Sequence, residues 1–256
     1  MRSFLTALQF LTRISVKKYD DLTEEDFGRS VKFFPLVGAV LGAIYAAAAT
    51  IFFVALPKAG VILPSHVCAA LLLMLMLAAT GGIFYDGFMD TMDGIFSGRD
   101  REKMLSIMKD SAVGANAVMG FVMLSLLNYG LITDMMPKTL LTALFIMPII
   151  SRLAVVWAIT GFPYARAQGM GKAFADHADK NSLFKATAIT LVLVLPWGKL
   201  AAFALIVSLA CAWLLLRYAT KVLGGVTGDV YGFTATLTET ATLLAATMGE
   251  VLLWEG

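Results

Sequence analysis

Residues 37–56 read VGAVLGAIYAAAATIFFVAL, twenty positions without one charged side chain. About 20 consecutive apolar residues of helix cross the hydrocarbon core of a bilayer, so this stretch alone predicts a membrane-spanning helix. Working outward, residues 67–80 and 117–127 repeat the pattern. The whole chain is 59% hydrophobic and 15% charged, with a mean hydropathy of +0.80. A soluble domain would carry about 25% charged residues. These runs predict an all-α fold: one polytopic transmembrane helix bundle of six to seven spans, forming a single domain over residues 1–256. The spans are placed near 33–56, 66–93, 112–133, 139–161, 183–197, 199–217 and 230–253. Pro57, Pro64, Pro137, Pro163 and Pro196 fall at or close to the breaks, as expected of a residue that interrupts helices. The fifth and sixth spans are parted only by Pro196-Trp197-Gly198-Lys199, either a tight turn or a kink.

A net charge of +2 gives no reason to expect nucleic acid as a partner. The two cysteines, Cys68 and Cys211, lie in apolar runs and predict neither a disulfide framework nor a zinc site. The opening MRSFLTALQFLTRI has a basic start and an apolar stretch, as a signal peptide does. Gln9 and Thr12 interrupt it, Arg13 closes it, and no small-residue cleavage site follows. Phe4, Leu5, Leu8 and Leu11 share one helical face, which predicts a short N-terminal amphipathic helix at the membrane interface. Segments 1–32, 94–111, 162–185 and 217–229 hold 16 Lys and Arg residues, whereas the alternate loops hold 3. That bias predicts a cytoplasmic N-terminus and, with seven spans, an external C-terminus. Asp86, Asp90, Asp93, Asp110, Asp176 and Asp229 all fall at cytoplasmic span ends, so the chemistry is expected to face the cytosol.

The segment GGIFYDGFMDTMDGIFSGRDREKMLSIMKD, residues 81–110, is the most informative. Asp86, Asp90 and Asp93 are spaced i, i+4, i+7, which sets three carboxylates on one helix face. Placed in the last turns of the second span, with Gly94 ending the helix, they meet the negative end of the helix dipole and repel one another. A hard divalent cation would relieve this. Carboxylates without histidine or cysteine favour Mg²⁺, or Mn²⁺, over zinc, and Mg²⁺ is commonly completed by water and substrate phosphate. Asp110, at the start of the next span, closes the expected metal set of Asp86, Asp90, Asp93 and Asp110. Arg99 and Lys109 in the following loop are candidate phosphate contacts, or simply topology-determining cations.

At these residues the chain closely resembles the cobalamin synthase family, the adenosylcobinamide-GDP ribazoletransferases. The resemblance rests on Gly-Gly-x3-Asp-Gly-x2-Asp-Thr-x-Asp-Gly over 81–94 and Ile-Met-Lys-Asp-Ser over 107–111. Weaker matches follow in order: Leu8-Gln9-Phe10-Leu11-Thr12-Arg13, Phe34-Pro35-Leu36-Val37-Gly38, Ser151-Arg152-Leu153, Tyr164-Ala165-Arg166 with Gly169 and Gly171, and Gly224 to Asp229. It implies a Mg²⁺-dependent enzyme of the inner membrane. Such an enzyme joins α-ribazole, or its 5′-phosphate, to adenosylcobinamide-GDP and releases GMP. Phe84 stands where many members have histidine, and Ala112 where arginine commonly follows Asp-Ser. The aspartates are also similar to those of CDP-alcohol phosphotransferases, but Ser97-Gly98 replaces the Ala-Arg expected there.

On this reading Asp93 or Asp110 accepts the ribazole hydroxyl proton. Arg152, mid-span where a lone cation is costly, is expected to bind phosphate, with a structural pair to Glu239 as the alternative. Arg166 and Lys172 either cover the nucleotide or are solvated. Asp229 caps the last helix or contacts substrate, and Arg13 reaches headgroups or substrate phosphate. A lipid synthase and a cation transporter are the rival readings; transporters place their binding residues near the midplane, with internal repeats that are not visible here. The oligomeric state, including a homo-oligomer, is left open.

Overall fold

The computed structural model describes residues 2–17 and 21–253. Helix α1, Arg2–Leu11, is amphipathic as expected, and its buried face of Thr6, Ala7, Leu8 and Leu11 turns to the bundle. Helix α2, Glu24–Ser30, starts at a capping box in which Thr23 and Asp26 satisfy each other's backbone N–H groups. A 3₁₀ turn at Val31–Phe33 carries it directly into α3, Phe34–Thr50, and a π-type turn at Ile51–Ala55 followed by a last helical turn at Leu56–Lys58 continues the rod to Lys58.

Next come α4, Ser65–Thr80, and α5, Ile83–Phe96, which meet at an angle of 94°. The remaining helices are α6 (Arg101–Ile107), α7 (Ala115–Asp134), α8 (Pro137–Gly161), α9 (Met170–His177), α10 (Ser182–Val194), α11 (Lys199–Leu223) and α12 (Gly228–Leu253). Between α10 and α11, Leu195–Trp197 forms a single 3₁₀ turn. Among the described residues β-pairing is limited to one bridge, Tyr164 with Val226. Four helical stretches are long and apolar enough to cross a membrane, or five with the bent α4–α5 pair counted as one. The chain is a helical membrane bundle.

The bend differs from the straight span expected over 66–93. Gly81 and Gly82 both adopt left-handed backbone, at φ +65° and +75°, which side chains resist and glycine does not. The helix therefore stops and restarts in a new direction.

Helices α8 and α12 form the centre: α8 packs on α3, and α12 packs on α5, α8 and α11. Glycines allow the closest approaches, as is general where helices associate in lipid. A Cβ on Gly38 or Gly42 would run into the carbonyl oxygens of Pro148 and Phe145 in α8. Gly87 of α5 faces Gly232 of α12 in the same way. A Cβ on Gly87 would lie 2.8 Å from the Asp229 carbonyl oxygen and 3.2 Å from the Gly232 Cα.

Candidate active site

The Gly87–Gly232 contact brings the acidic face of α5 beside the first turn of α12. Asp90 lies within electrostatic reach of Asp86, Asp229, Asp93 and Arg166. Asp86 sits in the first turn of α5, not in the last turns of a span as expected, so the helix dipole favours its charge. Gly94 does not end the helix, which runs to Phe96. Its missing side chain makes room for Met108.

Arg166 Nη2 is 2.7 Å from Asp229 Oδ2, in a pair whose side chains are 12% and 21% exposed. Two backbone bonds place Arg166: Ala165 N–H donates to the Val226 carbonyl, and Val226 N–H to the Pro163 carbonyl, each at 2.8 Å. The loop after α8 is thus sewn to the turn before α12. Thr227 Oγ1 donates to Asp229 Oδ2 at 3.3 Å. Burial raises the Tyr164 phenol above its ordinary pKa.

Asp93 is engaged differently. Its Oδ2 accepts from Gly114 N–H at 2.6 Å and its Oδ1 from Ala117 N–H at 2.9 Å, so this carboxylate caps α7 from a neighbouring helix. Asp110 does not begin that helix. It is exposed in the preceding turn, where its carboxylate accepts from Ala112 N–H at 3.0 Å. Neither carboxylate read as proton acceptor is therefore free of backbone partners.

Arg99 and Lys109 are exposed and line neither hollow that Asp86 lines. Arg101, beside them, ties α6 to the end of α11 through the Leu223 carbonyl at 2.7 Å. Lys172 pairs with Asp176 one turn on, at 2.6 Å.

Of the two roles read for Arg152, the structure supplies the pair. Its Nη1 donates to Glu239 Oε1 and, at 2.8 Å, to Ser151 Oγ, while Ser151 Oγ donates to the same carboxylate at 3.1 Å. The guanidinium also covers the Phe84 ring, 4.7 Å from its centroid. The Phe84 carbonyl accepts from Thr236 Oγ1 at 3.1 Å. The start of α5 is thereby gripped by both central helices.

Two features of the site carry no local signature in the sequence: the glycine pair that sets the crossing, and the approach of Asp229 to the carboxylates of α5. The available signal was non-local: the recurrence of Asp next to Gly at 86–87 and 228–229.

As for a metal, the donors that gather are carboxylate oxygens, which suit Mg²⁺. Among the described residues no three acidic, histidine or cysteine side chains close on one point as a full protein cage would. The donor set therefore fits an ion held by one or two carboxylates and completed by water and phosphate.

The cobalamin-5-phosphate synthase family model matches residues 3–247. An adenosylcobinamide-GDP ribazoletransferase of Desulfitobacterium hafniense is 40% identical over 96% of this chain and 96% of its own. One of Clostridium acetobutylicum is 33% identical over 100% and 98%, and one of Pseudomonas aeruginosa 37% over 96% and 97%. No solved structure matches the chain. With the family model and these full-length relatives agreeing, the chain belongs to the cobalamin-5-phosphate synthase family.

Proposed function

We propose that this protein is an adenosylcobinamide-GDP ribazoletransferase of the cell membrane, with its N-terminus and reaction site on the cytoplasmic side. The reading is carried by one observation: Asp86, Asp90 and Asp229 meet Arg166 at the Gly87–Gly232 crossing, in a chain whose relatives bear that name over nearly their whole length. The orientation is supported by the distribution of lysine and arginine.

In the reaction, the 5′-hydroxyl of α-ribazole or its 5′-phosphate attacks the cobinamide-bound phosphorus of the donor. A new P–O bond forms, the bond to the GMP oxygen breaks, and the hydroxyl proton leaves. One or two of Asp86, Asp90 and Asp229 would hold Mg²⁺, with Asp93 fixed beside them; the ion would neutralise charge on the diphosphate and the departing GMP. Arg166, held by Asp229, offers donors to a phosphate oxygen. The proton of the attacking hydroxyl passes to a carboxylate of this group.

Asp90→Asn in the purified membrane protein tests the proposal. Formation of adenosylcobalamin from α-ribazole and adenosylcobinamide-GDP is expected to fall by about 100-fold or more, as for loss of a charged group acting on the transition state. Chelation of Mg²⁺ is expected to stop turnover of the wild type. Near-normal activity of Asp90→Asn with unchanged magnesium dependence would end the metal-site proposal.

A further inference from the structure

Asp86 lines two adjoining hollows, whose walls also share Phe10 and Ile83. One is an open cleft of about 510 Å³ between α1, the Gly81–Gly82 break and α7, with Arg13, Thr80 and Tyr85 in its wall. The other is a narrower cavity of about 240 Å³, whose lining includes Phe34, Phe84, Tyr164, Arg166, Phe174 and Asp229.

The two substrates of the proposed reaction differ in size and in chemistry. The donor carries a corrin macrocycle and a nucleoside diphosphate; the acceptor is a riboside of a flat, fused bicyclic base. Pockets for drug-sized ligands run from about 300 to 1,000 Å³, so the narrow cavity is too small for a corrin and suited to a flat base. Its wall is aromatic and preorganised. The Phe174 ring meets those of Phe10, Phe27 and Phe34 edge-on, with centroids 4.8, 5.6 and 5.7 Å away. Its polar lining is the Arg166–Asp229 pair, so an acceptor whose base fills the aromatic part presents its hydroxyl toward the metal- and phosphate-binding group.

The open cleft has a different character. Arg13 is anchored by its backbone N–H, which donates to the Ala79 carbonyl at 2.8 Å. Its guanidinium lies across Gly81, where a side chain would collide with it. Among the described residues no carboxylate pairs with Arg13. A tethered guanidinium without an ion-pair partner, in a cleft that Asp86 also lines, matches a diphosphate, to which arginine binds in a fork.

We propose that Asp86 marks the junction of two substrate chambers: the aromatic cavity takes the base of the acceptor, and the open cleft takes the donor's diphosphate, anchored by Arg13. The assignment rests on the ribazoletransferase reading. It places the phosphorus under attack beside Asp86, reached by the hydroxyl from one side and the diphosphate from the other.

The test is steady-state kinetics on the full-length protein in detergent, varying each substrate, together with direct titration of α-ribazole by fluorescence in the absence of donor. Arg13→Ala is expected to raise the donor KM about tenfold, the scale of one charge-assisted contact, with Arg13→Lys recovering part of the loss. The acceptor KM and the α-ribazole binding constant are expected to stay within about twofold. Tyr164→Leu is expected to show the opposite split. So is Met170→Trp, on the exposed rim of the narrow cavity, whose substitution leaves the packed interior alone. A reversed split, or Arg13→Ala raising both KM values equally or neither, overturns the assignment. Absence of saturable α-ribazole binding overturns it too, even with turnover intact. Absence of turnover by the folded wild type with both substrates strikes the ribazoletransferase reading and takes the assignment with it.

Discussion

Gly87→Ala tests the crossing on which the site depends. The added Cβ would lie 2.8 Å from the Asp229 carbonyl oxygen, 3.0 Å from its Cα and 3.2 Å from the Gly232 Cα, all backbone atoms that cannot rotate away. Ordinary contact begins near 3.4 Å, so α5 and α12 must part by about 0.6 Å. Overpacking of this kind costs about 1–3 kcal/mol, while alanine regains about 1 kcal/mol of helix propensity over glycine. The net change in stability is therefore small, about 0–2 kcal/mol, but the displacement falls on Asp229 relative to Asp86 and Asp90. A misplacement of 1 Å can cost a rate factor of about 100, and roughly half that distance suggests about tenfold in kcat. Gly130→Ala in α7 is the control, because nothing lies within 4 Å of the Cβ it would add. It gains the helix propensity without the clash. The assay is adenosylcobalamin formation at saturating substrates, beside thermal unfolding in the same detergent. If Gly87→Ala kept wild-type kcat and gained stability as Gly130→Ala should, the backbone contact would not be setting the site.

Two further outcomes are expected. Asp93→Ala removes a carboxylate that receives two N–H groups at the start of α7, so it should lower unfolding stability by about 1–2 kcal/mol in addition to any effect on rate. Asp93→Asn retains an acceptor, and a measured stability loss as large as that of alanine would contradict the capping role. Arg152→Met leaves Glu239 buried without its partner and should cost about 3–5 kcal/mol, whereas Arg152→Met combined with Glu239→Leu should recover most of that. A double variant no more stable than the single one in chemical or thermal unfolding would show that the pair is not the source of the cost.

The helical membrane class was legible in residues 37–56 and the runs that follow them, because a bilayer filters sequences by length and apolarity alone. The common face of Asp86, Asp90 and Asp93 was legible too, since 3.6 residues per turn is a local rule. Only Asp229, 136 positions beyond Asp93, had to come from elsewhere, and no spacing rule reaches that far. The Gly81–Gly82 break was hidden because two glycines tolerate a continuous helix as well as a left-handed turn, and the packing of α5 on α12 selects the turn. Asp110 was misplaced for a related reason. Asp-Ser before an apolar run reads as a helix cap, yet the orphan N–H groups of α7 are met by Asp93.

Composition, apolar run length and helical spacing by themselves settled that this chain is a bundle of membrane helices with acids on one face. The tertiary structure alone decided which acids meet, that Arg152 is spent on Glu239, and where α5 turns. Those outcomes depend on how closely two backbones approach, and a glycine's missing side chain has that effect only once a second helix lies against it.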